Sequence, residues 1–401
     1  MRLPVWLVLT CAALIVTLSM GMRQSFGIFM PDVSASLGGS REVFAMAIAL
    51  QNLAWGLVQP GVGMLADRYG SRVVAGAGGA VYVLGLALTA LATSAVALNL
   101  SLGLLVGIGL STTTFVVVLG AVARAVPDQR RGLAFGVVTA AGSFGMFAMV
   151  PTGHGLLASL GWQGAFFALA GLGVLLVLLA AGFPGAPERQ TRAPEQSLGS
   201  ALAQAANHRG YWLLNAGFFV CGFHVMFIAT HLPAYLTDAG LTAGTGAMAL
   251  ALIGLFNIIG SFTFGVLGDR LRKPALLSSL YAARVVVIAA FLLLPLTPAS
   301  ALIFASMMGF LWLGTIPLTS GLVAQIFGPR YMASLFGIVF LSHQVGSFAG
   351  AWLGGRLYDT TGNYDIVWML AVGLGVLATA LHLPISDRRV GLPSPAAATR
   401  L

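Results

Sequence analysis

Two arginines stand inside long apolar runs. Arg23 lies in TLSMGMRQSFGIFMP (residues 17–31) and Arg284 in SSLYAARVVVIAAF (278–291). None of the eleven acidic residues reaches comparable depth. Asp32, Glu42, Asp238, Asp359 and Asp365 map to run ends on one side. Asp67, Asp128, Glu188, Glu195, Asp269 and Asp387 map to the other. A cation at the centre of a bilayer costs roughly 3 kcal/mol even on a lenient insertion scale. Cations with no carboxylate at their depth call for a counter-charge from elsewhere, most economically a small anion gripped by a guanidinium fork.

Histidines supply the second kind of chemistry. His154, His224, His231 and His343 fall within or at the ends of apolar runs. An imidazole titrating near neutrality binds a carboxylate or carries a proton, and His224 and His343 are the candidates for that coupling. Neutral polar residues complete a possible lining: Gln51, Asn52 and Gln59, Ser111 to Thr114, Asn257, and Thr315, Thr319 and Ser320. The substrate-contact set is therefore Arg23, His224, Asn257, Arg284, His343, Gln51 and Thr315. Two placements are open for Arg23. Its stem can snorkel to the nearer headgroups, or it can face a cavity beside Gly21, Gln24, Ser25 and Gly27. Arg284 either lines that cavity or is a structural cation satisfied by Asn257 or by carbonyls. No His, Cys, Asp or Glu set has metal-ligand spacing. No nucleophile–base pair, GxSxG or HExxH motif is present, so neither a catalytic residue nor a cofactor is implied. Cys11 and Cys221 lie within spans and read as buried thiols, not a disulfide.

The elements that hold these residues are membrane helices. Of 401 residues, 58% are hydrophobic and 8% charged, with mean hydropathy +0.94, too little charge to cover a soluble surface. Apolar runs near 5–31, 42–66, 73–94, 97–126, 131–158, 163–184, 211–236, 244–268, 274–296, 299–327, 332–356 and 364–385 can each cross a core of roughly 30 Å. The chain is expected to be an all-α polytopic membrane protein of twelve spans. Its first run reads as an uncleaved span, not a signal peptide. The divisions are a six-helix bundle at 1–184, an interdomain loop at 185–210 with a short surface helix at 197–206, a second six-helix bundle at 211–385, and a disordered tail at 386–401. The net charge of +9 follows topology and not nucleic-acid binding. A cytoplasmic N-terminus puts Arg68, Arg72, Arg124, Arg130, Arg131, Arg270, Arg272, Lys273 and Arg330 inside, with Arg41 and Arg356 near the outer face. Both termini and the interdomain loop are then cytoplasmic, in a cell (inner) membrane.

The halves repeat. GMLADRYGSR (63–72) recurs as GVLGDRLRKP (265–274) at an offset of 202 residues, and LAFGVV (133–138) recurs as SLFGIV (334–339). The first of these loops resembles the signature loop of the major facilitator superfamily, whose carriers are built from duplicated bundles. The resemblance implies a gating role for Gly63, Asp67, Arg68, Arg72, Asp269 and Arg270. It also implies that the third, sixth, ninth and twelfth helices support the others and do not line the cavity, which bears on Arg284.

A narrower resemblance lies in DQRRGLAFGVVTAAGSFGMFAMVP (128–151) and LGWQGAFFALAG (160–171). These are similar to the monocarboxylate transporters and the bacterial oxalate/formate exchangers, which also carry a basic residue near Arg23. The acidic-glycine-tryptophan motif those proteins place before the first span is absent. Asn257 and Ser261 stand where they carry an acid and an arginine. The resemblance implies a secondary carrier of a small organic anion, by proton symport or by exchange for a counter-anion, working as a monomer in the lipid bilayer. An exporter of drugs or amphipathic metabolites is the alternative. A membrane enzyme or a non-transporting sensor is the reading from another class.

Overall fold

The computed structural model describes residues 4–127, 131–185, 198–328 and 332–390, leaving aside the side chains at 67, 131–133, 198, 332 and 333. It contains eleven apolar helical stretches long enough to span a membrane. One of them, Arg131–Ala180, doubles back at Gly161, where φ is 67° and ψ 175°. A side chain would strain that backbone, and its reversal makes twelve crossings. We number them α1 (Val5–Ser36), α2 (Arg41–Tyr69), α3 (Ser71–Ala90), α4 (Ala95–Ala125), α5 (131–160) and α6 (162–180). The second set is α7 (Arg209–Asp238), α8 (Ala243–Arg270), α9 (Lys273–Leu293), α10 (Pro298–Phe327), α11 (Met332–Thr361) and α12 (Asp365–His382). A short helix, Leu198–Ala206, precedes α7.

The 202-residue repeat is visible in packing. Thr17 of α1 lies against Gly145 of α5, and Phe219 of α7 lies against Gly346 of α11. The partners in each pair run parallel, with Ser25 beside Gly153 and His231 beside Gly354 further along. Small residues at these crossings let backbones approach closely, as helices packing in lipid require.

Three helices are interrupted where the sequence runs looked continuous. A 3-10 turn at Phe26–Phe29 interrupts α1 just past Arg23. Thr114 is extended (φ −111°, ψ −167°) and breaks α4. Residues 311–314 break α10 between Phe310 and Thr315. Freed backbone groups inside a membrane must find partners in the protein. In α4, the Ser19 hydroxyl donates to the Thr113 carbonyl at 2.9 Å and the Gln59 amide to the Ser111 carbonyl at 3.0 Å. The partners at the α10 break are described below.

Three seams join the halves: α1 with α7, α2 with α11, and α5 with α8. They are tight on the face that holds Arg41. Gly27 meets the Ala229 carbonyl, Gly355 meets Ala45, and Gly254 meets the backbone at Phe147. Towards the face that holds Arg68 they part. Gly136, Gly265 and Gly337 continue the seam faces of Ser143, Gly254 and Gln344 by two or three helical turns. A side-chain carbon at any of the three would meet nothing within 4 Å.

Two expected boundaries shift. The interdomain loop ends earlier than 210, because α7 already begins at Arg209. Of the tail expected to be disordered, Ser386 to Val390 are held. The Gln325 amide donates to the Asp387 carbonyl at 3.1 Å, and the Val390 N–H donates to the Ile326 carbonyl at 2.9 Å. Residues 186–197 and 391–401 lie outside the described residues.

Candidate functional site

Arg23 turns along the seam between the halves and not towards headgroups. Its Nη2 donates to Asn52 Oδ1 at 2.7 Å and contacts Met226 Sδ at 2.7 Å. Its guanidinium lies 5.1 Å from the centroid of the Trp55 ring, a cation–π distance. Asn52 and Trp55 are three residues apart on one face of α2, and Met226 reaches in from α7. The side chain keeps part of its surface accessible, while its Nε has no hydrogen-bond partner. An unmet N–H on a cation is costly, on the order of 1–3 kcal/mol. The guanidinium thus has one buried N–H without an acceptor.

From the other half, α11 brings His343 to the same seam. The Gln344 amide donates to the Asn52 carbonyl at 3.2 Å, and His343 Nδ1 shares a hydrogen bond with Gln344 Oε1 at 3.1 Å. Phe340 meets Trp55 edge-on at 5.4 Å and stacks on His343 at 5.8 Å. Arg23, Asn52, Gln344 and His343 therefore form one polar chain crossing between halves, walled by Trp55, Phe340 and Met226. His343 Nε2 has no partner.

The other expected contacts go elsewhere. His224 is fully buried, and its Nε2–H donates to the Ala371 carbonyl of α12 at 2.7 Å. It points into the second bundle, and the structure does not bring it to Arg23. His231 is likewise tied, to the Ala351 carbonyl at 2.7 Å and the Tyr364 hydroxyl at 3.1 Å. Gln51 donates to the Leu102 carbonyl of α4 at 2.9 Å. Asn257 is at a seam but is fully engaged. Its Nδ2 donates to Ser143 Oγ across the α5–α8 seam at 3.0 Å, and its Oδ1 accepts from the Leu313 N–H at 3.0 Å.

Arg284 has no exposed surface and closes the α10 break. It donates to the Leu311 carbonyl from Nε at 3.2 Å and from Nη2 at 2.7 Å, and Nη2 also meets the Trp312 carbonyl. Thr315, the first residue after the break, bonds Cys221 Sγ at 3.2 Å. Arg284 and Thr315 belong to the interior of the second bundle.

The described contacts of the loops expected to gate lie within their own halves. Arg72 donates to the Ala181 carbonyl at 2.7 Å, Arg68 lies over the ring of Tyr69, and a side-chain carbon at Gly63 would meet Val116 of α4. Asp269 and Arg270 are exposed. Asp67's side chain lies outside the described residues. Among the described residues, the ion pairs between halves are on the opposite face. Arg41 grips Asp238 with two hydrogen bonds of 2.6 Å, stacks 3.9 Å over Tyr358 and donates to the Tyr364 hydroxyl at 2.9 Å. Burial, the largest effect, keeps the Tyr364 hydroxyl protonated well above the usual phenol range. Asp359 of α11 accepts from the N–H groups of Arg41 and Glu42 at 3.1 and 2.9 Å and from Ser40 Oγ at 2.6 Å. One half thereby caps the first turn of a helix in the other. Arg356 and Trp352 each donate to Glu42 at 3.1 Å.

The sequence profile of the Major Facilitator Superfamily matches residues 12–351. The chain belongs to this superfamily of transporters. Over 386 residues it is 27% identical to an uncharacterized MFS-type transporter, YcxA of Bacillus subtilis (strain 168), covering 92% of each chain. It is 25% identical to the oxalate:formate antiporter of Oxalobacter formigenes (94% of this chain, 90% of that one) and 28% identical to monocarboxylate transporter 13 of Rattus norvegicus (94% and 89%). Its fold matches a bacterial homolog of the human lysosomal transporter Spinster, solved in an inward-facing and occupied conformation. That match has a TM-score of 0.74 and 17% identity, over 96% of this chain and 98% of the other.

As a superfamily transporter it is a multi-pass membrane protein. Sequence reasoning missed Trp55, Met226 and Phe340, which carry no charge to mark them. The spacing of Trp55 from Asn52 is the one signal that placed it on the Arg23 side of α2.

Proposed function

We propose that the protein is a secondary carrier of a small organic anion, a monocarboxylate or related carboxylate, working by alternating access as proton symport or anion exchange. The observation that carries this reading is Arg23: a half-buried arginine at the seam whose buried Nε has no hydrogen-bond partner, with no carboxylate at its depth among the described residues. A carboxylate entering there exchanges water for a charge-assisted fork on Arg23, with Asn52 already orienting the guanidinium. Trp55, Phe340 and Met226 give the rest of the cargo an apolar wall. His343, bonded to Gln344 and open at Nε2, is the histidine that assists and carries a coupled proton in this reading.

The two bundles, 1–184 and 211–385, are the rocking units. With the arginine-rich loops placed in the cytoplasm of a cell membrane, the Arg41 face is outer and closed, and the seam opens inward. Transport then requires breaking the Arg41–Asp238 pair and withdrawing Asp359 from the start of α2. A carboxylate is favoured over the cationic amphiphiles of drug exporters, because such cargo calls for an acid in the spans.

Counterflow in proteoliposomes with a panel of labelled carboxylates tests the reading. Uptake of at least one, lost in Arg23→Gln with the protein still folded, is the expected result. Unaltered transport in that variant, or no counterflow with any carboxylate while an amphiphile moves, would overturn it.

A further inference from the structure

Cys221 lies fully buried in the interior of the second bundle. Both terminal nitrogens of Arg284 aim at its sulfur, Nη1 at 3.6 Å and Nη2 at 3.7 Å. From α10, Thr315 Oγ1 lies 3.2 Å away, and Thr315 is the first residue of the helical segment after the break. From α11, His343 lies beside the sulfur with Nε2 unpartnered and the residue 6% exposed. From α9, Tyr281 also approaches, its hydroxyl donating to the Gly217 carbonyl at 2.9 Å. On α7 itself His224 stands three residues on, fully buried with Nδ1 unpartnered, and α12 brings His382, stacked on Tyr281 at 5.0 Å. Both Asp269 and Arg270 of α8 lie at its far end, and Arg23 of α1 lies at the seam beside Asn52 and Met226.

The Arg284 guanidinium, and the Thr315 hydroxyl where it donates, favour negative charge on the sulfur, and burial works against it. Cys221 and Arg284 are both without exposed surface. The other partners of Arg284 are the neutral carbonyls of Leu311 and Trp312. A buried cation without an anion is strongly disfavoured, and no carboxylate lies at this depth among the described residues.

We propose that Cys221 is held as a thiolate, the counter-charge of Arg284, so that the second bundle contains its own intramembrane proton-binding site. The sulfur supplies the negative charge that an acidic residue would otherwise bring to this depth. His343, touching both this cluster and the Arg23 seam, is the group through which a proton on Cys221 would be felt by the cargo site. The ion pair stands whether or not the cargo is an anion.

The test uses the full chain in lipid nanodiscs with Cys11→Ser, leaving a single sulfur of this type. Thiolate absorbance near 240 nm is read as the difference between that protein and Cys11→Ser/Cys221→Ser at about pH 7. An ordinary thiol is only a few per cent ionised there. The expected result is a difference band for one full thiolate, reduced when Thr315→Val is added. A difference spectrum without the band overturns the proposal. Should the double variant fold poorly, cysteine ¹³Cβ labelling of the Cys11→Ser protein reads the same state without removing the sulfur. A resonance at the thiolate position supports the ion pair, and one at the thiol position overturns it.

Discussion

Arg23 and Arg284 are both cations inside spans, one in each half, and the structure uses them in opposite ways. Arg284 is spent: two carbonyls of the broken α10 and the sulfur of Cys221 occupy its donors. Arg23 is spare: Asn52 and Met226 meet one nitrogen, its Nε meets nothing, and it stays partly accessible. The repeat makes the contrast sharper. Tyr82 lies 202 residues before Arg284, and Gly109 lies 202 before Leu311. Tyr82 packs against Gly109 as Arg284 packs against Leu311. The same helix–helix contact is thus built with a tyrosine in one half and an arginine in the other. Of the two, Arg23 keeps a donor without a partner.

Removing the spent cation is expected to have the largest effect. Arg284→Met strands the Leu311 and Trp312 carbonyls and the Cys221 sulfur. Breaking such a buried set costs about 3–5 kcal/mol, read as a steep fall in melting temperature and in yield of folded protein. A variant as stable as the parent would erase the distinction between the two arginines.

The trans cap on α2 comes next. Asp359→Ala removes the acceptor for the Arg41 and Glu42 N–H groups, worth about 1–2 kcal/mol. The loss falls on the conformer closed at the Arg41 face. Labelling of Ser40→Cys by an impermeant maleimide should quicken several-fold in the Asp359→Ala background. Unchanged labelling would mean that this face is held by packing alone.

The smallest effect is expected at His224, which serves its own bundle. His224→Phe should leave transport within about threefold of the parent, since losing one hydrogen bond of about 1 kcal/mol does not touch the seam. A loss matching that of Arg23→Gln would place His224 in the cargo path.

Much of the fold was legible because membrane spans write themselves in hydropathy, and the duplicated GMLADRYGSR and GVLGDRLRKP loops gave the two-half plan. The breaks in α4 and α10 were not. Thr114 carries no glycine or proline signal, and the partners that fix both breaks come from distant helices. Arg284 was ambiguous for the same reason: the carbonyls that satisfy it leave no trace in residue types. The 202-residue offset sets Arg23 opposite Val225, between His224 and Met226. A one-residue step turns a helical side chain by about 100°, so His224 points to α12 while Met226, on the other side of Val225, meets Arg23. Cys221 read as an inert thiol because its neighbours Arg284, Thr315 and His343 come from three other helices.

The central claim is that Arg23 is the group that grips the anion. Its most direct test is ligand-induced thermal stabilisation of the purified protein, using a carboxylate that shows counterflow, in the parent, Arg23→Gln and Arg23→Lys. The account predicts a concentration-dependent rise in melting temperature for the parent. In Arg23→Gln the apparent affinity should fall about 10- to 100-fold, the loss of one charge-assisted contact worth about 1.5–3 kcal/mol, and Arg23→Lys should lie between. Stabilisation of Arg23→Gln at the parent's ligand concentrations would contradict it.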